Sequence, residues 1–148
     1  MTYMTVTACG DEREAGVSAA AEEMTGLEKL WSVTDEQSEI YAIDHAGGGS
    51  TAVSDETAEL PKFALDMHEK TESALDISLY PVLRAWGFTT GEYRVPDDEE
   101  IAELPEKTGV EKIMLGENTV SLPEGMEIDL WEIYRPRVIP SPTEQNGR

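Results

Sequence analysis

"KIMLGENTVSLPEGMEIDL", residues 112–130, carries two short apolar runs around a turn and a third run near its end. Residues 112–115 and 118–122 flank Gly116-Glu117, which predicts a β-hairpin. Residues 126–130 predict a last short strand, and it carries Asp129 between two apolar neighbours. An acid at a strand end is as consistent with a ligand-binding role as with a structural one.

A second informative stretch is "ALDISLYPVLRAWGF", residues 74–88, where a single acid lies in an apolar run. Asp76 precedes a segment that should turn at Pro81, so it lies near the start of a new element. Backbone N–H groups are free to face a ligand at such a start. A carboxylate there can accept hydrogen bonds from a ribose or an adenine amine, or help to hold a metal. The alternative is a structural carboxylate that caps the turn.

Helices and further strands are predicted around these two stretches. The sequence predicts an opening strand at residues 3–9 and helices at residues 12–31, 54–71 and 97–107. Ser54 can cap the second helix, and Pro61 either kinks that helix or marks its first turn. Pro105 is expected to end the third helix early. Strands and helices mix without a regular βαβ rhythm, so the predicted fold class is α+β, with helices on a mixed or antiparallel sheet.

Length, charge and cysteine content exclude several classes of protein. The 148 residues are enough for one domain with a core, and the formal net charge is −20. A surface this negative repels nucleic acids and anionic membranes, so neither partner is expected. No apolar run approaches the roughly 18 residues that span a bilayer, and no signal peptide precedes Cys9. A single cysteine excludes an internal disulfide and a cysteine zinc site.

Other motifs are better explained as structure than as chemistry. The glycine run at residues 47–49 lacks the Lys-Ser/Thr of a phosphate-binding loop and predicts a flexible loop. The four acids at residues 97–100 point in different directions on a helix, which is typical of a solvated helix start. The remaining candidates are two histidines without ligand partners and two tryptophans expected in the core: His45, His68, Trp31 and Trp86.

In their order and spacing these pieces resemble the N-terminal half of the ApbE family, the FAD:protein FMN transferases. The resemblance covers residues 3–130 and implies a partial ApbE-like, T-fold-like domain at residues 1–130. The motifs that carry it are LxxLWS (27–32), DxxSEI (35–40), VSxET (53–57), ALDI (74–77) with Pro81 and WGF (86–88), and LPxGMxIDL (122–130).

The resemblance also implies a function and a site. Members of the family bind FAD and a magnesium ion, split the pyrophosphate, and attach FMN to a threonine of a partner flavoprotein. The resemblance implies that Ala74, Leu75 and Asp76 contact FAD and that Asp129 and Thr34 belong to the same site. The apolar neighbours of Asp76 would wall a nucleotide site in which the acid is the polar handle. No catalytic residue or metal ligand is named by it.

The chain departs from the family pattern in several places. It begins inside the family's Met-Gly-Thr-like opening, Thr34 stands near a family aromatic, and Trp131-Glu132 replaces the start of a Gly-Gly-Xaa-Xaa-Lys-Gly turn. The family's C-terminal half, with its later metal-binding acids, does not follow. Relatives are often exported and lipid-anchored, whereas this sequence shows no signal peptide.

The last residues change in character. Residues 131–148 hold three of the eight prolines and have no periodicity. They predict either a disordered tail or a glycine-rich turn translated out of frame. The expectation is an incomplete flavin transferase with little or no activity. The alternative is a non-catalytic acidic interaction module that retains part of the fold.

Overall fold

The computed structural model describes residues 5–130 and residue 133, and there the predicted α+β class is confirmed. The sheet contains β1 (Ser50–Ala52), β2 (Met114–Leu115) and β3 (Thr119–Ser121), all antiparallel. Strand β3 is central, since Val120 lies opposite both Thr51 of β1 and Leu115 of β2. The predicted hairpin is confirmed, and the N–H of Gly116 closes its turn on the carbonyl of Thr119 at 2.8 Å.

Helices account for most of the remaining regular structure. In residues 5–130 the α-helices are α1 (Arg13–Trp31), α2 (Glu39–Asp44), α3 (Asp55–Lys70), α4 (Tyr80–Ala85) and α5 (Asp98–Glu103). Single 3-10 turns span Ile77–Leu79, Leu104–Lys107 and Val110–Lys112. Ser54 caps α3 as predicted, its hydroxyl oxygen accepting the N–H of Thr57 at 3.3 Å. Helix α3 continues through Pro61 and does not begin there, whereas α5 ends just before Leu104-Pro105, as predicted.

The core lies between α2, α3, the sheet and residues 126–130. Its fully buried apolar side chains come from all four: Ile40, Ile43, Leu60, Val120, Met126, Ile128 and Leu130. Helix α1 packs against this core with Leu27 and Leu30 and buries its last residue, Trp31, whose indole N–H donates to the hydroxyl of Thr57 at 2.9 Å. The predicted core position of Trp31 is confirmed. That of Trp86 is wrong, because Trp86 follows the short surface helix α4 and is 36% exposed.

Two strand predictions are not met. Residues 5–9 of the predicted opening strand are irregular and mostly exposed, since β-propensity cannot make a strand without a partner edge; residues 3 and 4 lie outside the described residues. Residues 126–130 show the expected alternating burial but belong to no strand. Strand β1 was not predicted, because three residues are too few for a period-two pattern. The glycine run before β1 forms a loop as predicted, with Gly47 and Gly48 at φ of 58° and 86°.

Candidate functional site

Asp76 lies at the start of a single 3-10 turn and caps it. Its Oδ1 accepts the backbone N–H of Ser78 at 2.8 Å and the Ser78 hydroxyl at 2.6 Å. Ser78 is fully buried, and its hydroxyl oxygen also accepts the N–H of Gly109 at 2.8 Å. The capping role considered from the sequence is therefore present. Since both bonds use Oδ1, the cap orients the carboxylate and leaves Oδ2 for another donor.

The chain reaches Asp76 through a tight reversal after α3. Glu72 and Ser73 have φ of 53° and 68°, in the left-handed region that non-glycine residues seldom adopt. The carbonyl of Leu75 accepts a hydrogen bond from Nδ1 of His68 at 2.6 Å, so His68 has a structural role. Leu75 packs against the core, whereas Ala74 is exposed. Residues 74–76 thus form an anchored edge with one apolar and one acidic side chain near the surface.

Asp129 reaches the same edge through its backbone. Its N–H donates to the carbonyl of Ile77 at 3.0 Å, one residue beyond Asp76 in the chain. Asp129 is partly buried, between the fully buried Ile128 and Leu130. The structure therefore places Asp129 beside the Asp76 turn.

A third acid, Asp44, meets this segment and was not indicated by the sequence analysis. It is the last residue of α2, and its Oδ1 accepts the N–H of Ile128 at 2.9 Å. Burial raises the pKa of Asp44 to about 8, and the carboxylates of Glu127 and Asp129 add to this rise. The Ile128 N–H and Arg84 act in the opposite direction. One signal was available, because Asp44 lies four residues after Ile40 on the buried face of a helix.

Helix α4 contributes a phenol and a cation to the same place. Nη1 of Arg84 lies 2.6 Å from both carboxylate oxygens of Glu127, whose side chain is only 14% exposed. Burial, followed by the charges of Glu127 and Asp129, raises the pKa of Tyr80, so its phenol stays protonated at neutral pH. We call Asp44, Tyr80, Arg84, Glu127 and Asp129 the acidic cluster. With one guanidinium among three acids, it suits hydroxyl and amine groups of a ligand better than bare phosphates.

Thr34 is not joined to these acids by a hydrogen bond in the described part of the chain. It lies exposed in the loop between α1 and α2, where its N–H and hydroxyl contact the hydroxyl of Ser32, each at 3.3 Å. The other histidine, His45, is used structurally. Its ring stacks on Tyr41 with centroids 3.8 Å apart, and its Nδ1 donates to the Tyr41 carbonyl at 2.9 Å.

The described residues do not by themselves supply a set of ligands for a metal ion. Across residues 5–130 and 133 no group of three or more His, Cys, Asp or Glu side chains is arranged to hold one. One surface cleft of about 380 Å³ lies at the start of α1, and another of about 200 Å³ lies between α4 and α5, where Arg84 of the acidic cluster lines it. Neither cleft is lined by Asp76 or Asp129. Within the same residues, no helix has both the length and the apolar character needed to cross a membrane.

Residues 1–133 match the sequence model of a family described as the ApbE family. One curated relative is the FAD:protein FMN transferase of Vibrio cholerae serotype O1. It is 30% identical over 136 aligned positions, which cover 83% of this chain and 40% of the relative. The chain thus spans less than half the length of this relative.

Solved structures share the fold over a similar span. The ApbE protein of Thermotoga maritima superposes with a TM-score of 0.80 at 29% identity, covering 89% of this chain and 44% of that protein. A mutant of the flavin transferase ApbE of Vibrio cholerae gives 0.76 at 25% identity, covering 93% and 48%. The flavinyl transferase ApbE of Pseudomonas stutzeri gives 0.79 at 20% identity, covering 85% and 41%, a likeness of fold.

Proposed function

This chain belongs to the ApbE family, and we propose that it supplies part of the flavin nucleotide site of an FAD:protein FMN transferase. The observation that carries the proposal is the hydrogen bond from the N–H of Asp129 to the carbonyl of Ile77, at 3.0 Å. It joins the two segments in which the resemblance to the family is densest, residues 74–77 and 122–130. Each segment brings one partly buried acid to the junction.

The chemistry of this junction suits the sugar and base of a nucleotide. Oδ2 of Asp76 and the carboxylate of Asp129 accept hydrogen bonds from O–H and N–H groups. The exposed methyl of Ala74 and the side chain of Leu75 offer apolar contact beside them. We also include Thr34 in the proposed site, where its hydroxyl, on the exposed loop between α1 and α2, would contact the nucleotide.

In the proposed reaction, a threonine hydroxyl of an acceptor flavoprotein attacks the FMN phosphorus of FAD. The new oxygen–phosphorus bond forms as the bond to the AMP oxygen breaks, AMP leaves with that oxygen, and the threonine proton passes to the solvent or to the AMP phosphate. The residues of this chain contribute by binding and orienting the nucleotide. We include magnesium dependence in the proposal, and the described residues can supply only part of its ligands, because they contain no three-ligand cluster.

The 148-residue polypeptide is expected to bind FAD weakly and to transfer little or no FMN. It spans 40% of the curated relative, and a site whose groups are only partly preorganised loses affinity. A second candidate function is a non-catalytic acidic interaction module. The formal net charge of −20 favours it, because such a surface attracts basic partners.

Equilibrium dialysis with FAD, with and without magnesium, separates the two candidates. For a nucleotide site, Asp76→Ala should weaken FAD binding about tenfold, as expected for the loss of a hydrogen bond to a charged group. The matched control is Asp98→Ala, which removes one equally charged, exposed acid from α5. Absence of FAD binding to the unaltered chain would favour the interaction module.

Transfer itself is measured by the flavin fluorescence of an acceptor protein after denaturing electrophoresis. The acceptor carries either its threonine or an alanine at the modified position, with FAD and magnesium present in both reactions. Little or no threonine-dependent fluorescence is expected from the 148-residue polypeptide. Strong labelling would contradict the expected loss of activity and would show that the missing groups are not needed.

We also propose that the domain ends near residue 130 and that the following residues are a disordered or out-of-frame tail. Residues 131–148 lie outside the described part apart from Ile133, which is buried and whose N–H donates to the Leu130 carbonyl at 3.1 Å. The coding DNA tests the frame. A neighbouring frame without a Gly-Gly-Xaa-Xaa-Lys-Gly-like run after codon 130 would exclude the frameshift.

A further inference from the structure

We infer that Asp44 is a positioning residue that fixes Asp129 beside the Asp76 turn. The inference deepens the proposed function and rests on it, since it concerns the same nucleotide site. Asp44 acts through the backbone of residues 126–130 and not by touching the ligand.

Two successive backbone N–H groups hold this segment from opposite sides. In an extended chain, consecutive N–H groups point in opposite directions. The N–H of Ile128 donates to Oδ1 of Asp44 at 2.9 Å, and the next N–H, of Asp129, donates to the carbonyl of Ile77 at 3.0 Å. Because the segment belongs to no strand, these two bonds take the place of the hydrogen bonds of a sheet, and they hold the backbone that carries the Asp129 side chain.

Asp44 is itself carried by an anchored helix. At the start of α2, the carboxylate of Glu39 accepts the N–H of Ser54 at 3.0 Å and the Ser54 hydroxyl at 2.7 Å. Ser38 caps the same helix by accepting the N–H of Tyr41 at 3.0 Å. The start of α2 is therefore capped and tied to the residue that caps α3, so Asp44 is carried on an anchored helix.

The charges around Asp44 add a pH dependence to this role. Burial raises the pKa of Asp44 to about 8, and Glu127, Asp129, Arg84 and Tyr80 face it from α4 and the 126–130 segment. Below that pH Asp44 is neutral and still accepts the Ile128 N–H. Above it, a further negative charge joins Glu127 and Asp129, which opposes binding of an anionic dinucleotide. FAD affinity should therefore fall as the pH rises through about 8.

Two substitutions separate the acceptor from the charge. Asp44→Asn keeps a carbonyl oxygen for the Ile128 N–H and cannot ionise, whereas Asp44→Leu keeps the branched shape with a larger volume and has no acceptor. Amide hydrogen exchange of Ile128 and Asp129 by NMR and FAD dissociation constants between pH 6.5 and 9.5 are measured for each variant. Asp98→Asn on the exposed surface of α5 is the matched control for charge.

At pH 6.5 Asp44→Leu should speed amide exchange at Ile128 about tenfold and weaken FAD binding about tenfold. Asp44→Asn should leave both close to their values in the unaltered chain. Both variants should lose the fall in affinity between pH 7 and 9, because neither has an ionisable group at position 44. If the unaltered chain binds FAD and Asp44→Leu changes neither measurement, the inference is overturned and the proposed function stands. If no FAD binding is detected, the proposed function fails, and unchanged exchange at Ile128 would still overturn the positioning role.

Should Asp44→Leu fail to fold, as judged by circular dichroism, Asp44→Ala takes its place, because it also lacks an acceptor. Unchanged exchange at Ile128 together with unchanged FAD affinity at pH 6.5 in Asp44→Ala would overturn the inference. A pH profile of Asp44→Asn that is flat through pH 8, with normal exchange at Ile128, supports it.

Discussion

Helix α1 is regular but mostly exposed, whereas residues 126–130 are irregular but largely buried. Helix α1 runs for 19 residues, yet Trp31 is its one buried residue. Residues 126–130 have no regular secondary structure, yet Met126, Ile128 and Leu130 are at most 1% exposed. The difference shows that membership of the core depends on what surrounds a segment and not on its own hydrogen-bonding pattern.

The backbone of the two regions is satisfied in different ways. A helix pairs its own N–H and C=O groups, so α1 can form with most of its surface in water. A buried irregular segment needs partners from elsewhere, because an unpaired buried backbone group is costly. Asp44 and Ile77 are those partners, and they bring Asp129 to the Asp76 turn as a consequence.

The largest expected effect is that of Ile128→Ala. The Ile128 side chain is fully buried, so its truncation should lower the free energy of unfolding by about 2–5 kcal/mol. Unfolding in urea, followed by tryptophan fluorescence, measures the loss. A loss under about 1 kcal/mol would show that the segment can detach without disturbing the core.

The next effect is a pH dependence of stability that comes from Asp44. Its folded pKa of about 8 lies above the roughly 3.9 of an unfolded aspartate, so the folded state keeps a proton that the unfolded chain releases. The contribution of Asp44 to the free energy of unfolding therefore falls as the pH rises from about 4 to about 8, then levels off. Between pH 6.5 and 8 the fall should be about 1–2 kcal/mol.

Asp44→Asn isolates this contribution from that of the other acids, because it removes one titrating group and keeps the hydrogen-bond acceptor. Urea unfolding of both proteins at pH 5, 6.5, 8 and 9 gives the two slopes. Parallel slopes would mean that Asp44 titrates as an ordinary exposed acid.

A smaller effect is expected where α1 enters the core. Thr57 is fully buried and accepts the indole N–H of Trp31 at 2.9 Å. Thr57→Val keeps the volume but removes this acceptor of the indole N–H, which should cost about 1 kcal/mol in unfolding free energy. A double-mutant cycle with Trp31→Phe tests the assignment, since the Thr57→Val penalty should largely disappear once the indole is gone.

The smallest effect is expected on the exposed face of α1. Val17 is 36% exposed, so Val17→Ala should change the free energy of unfolding by no more than about 0.5 kcal/mol. This substitution is also the surface control for Ile128→Ala. A cost comparable to that of Ile128→Ala would mean that the α1 face is covered in solution, which sedimentation velocity would reveal as self-association.

Local signals made several elements predictable. Ser54 begins α3, and Asp97 begins α5 through a reciprocal pair of side-chain and backbone bonds with Glu100. Gly116 turns the hairpin, and Pro105 follows the end of α5. In each case the cause and the effect lie within a few residues of each other, so a single sequence contains the whole interaction.

Distant contacts account for what was missed. Residues 126–130 were predicted as a strand but are irregular, because their hydrogen-bond partners are a side chain and a turn. Trp86 was placed in the core on residue type alone, whereas its helix lies at the surface. The only sequence signal for the burial of Asp44 was its helical spacing from Ile40, and its hydrogen-bond partner Ile128 is 84 residues away.

The amino-acid order was enough for the α+β class, for the bounds of α1 and α3, for the start of α5 and for the resemblance to the family that the comparison confirmed. Those features depend on local hydrogen bonds, turn residues and apolar spacing, which neighbouring residues determine together. Only the tertiary structure decided that Asp44, Asp129 and the Asp76 turn meet, and that Asp44 loses its hydration. Desolvation and charge proximity are set by elements far apart in the chain, so no local pattern could contain them.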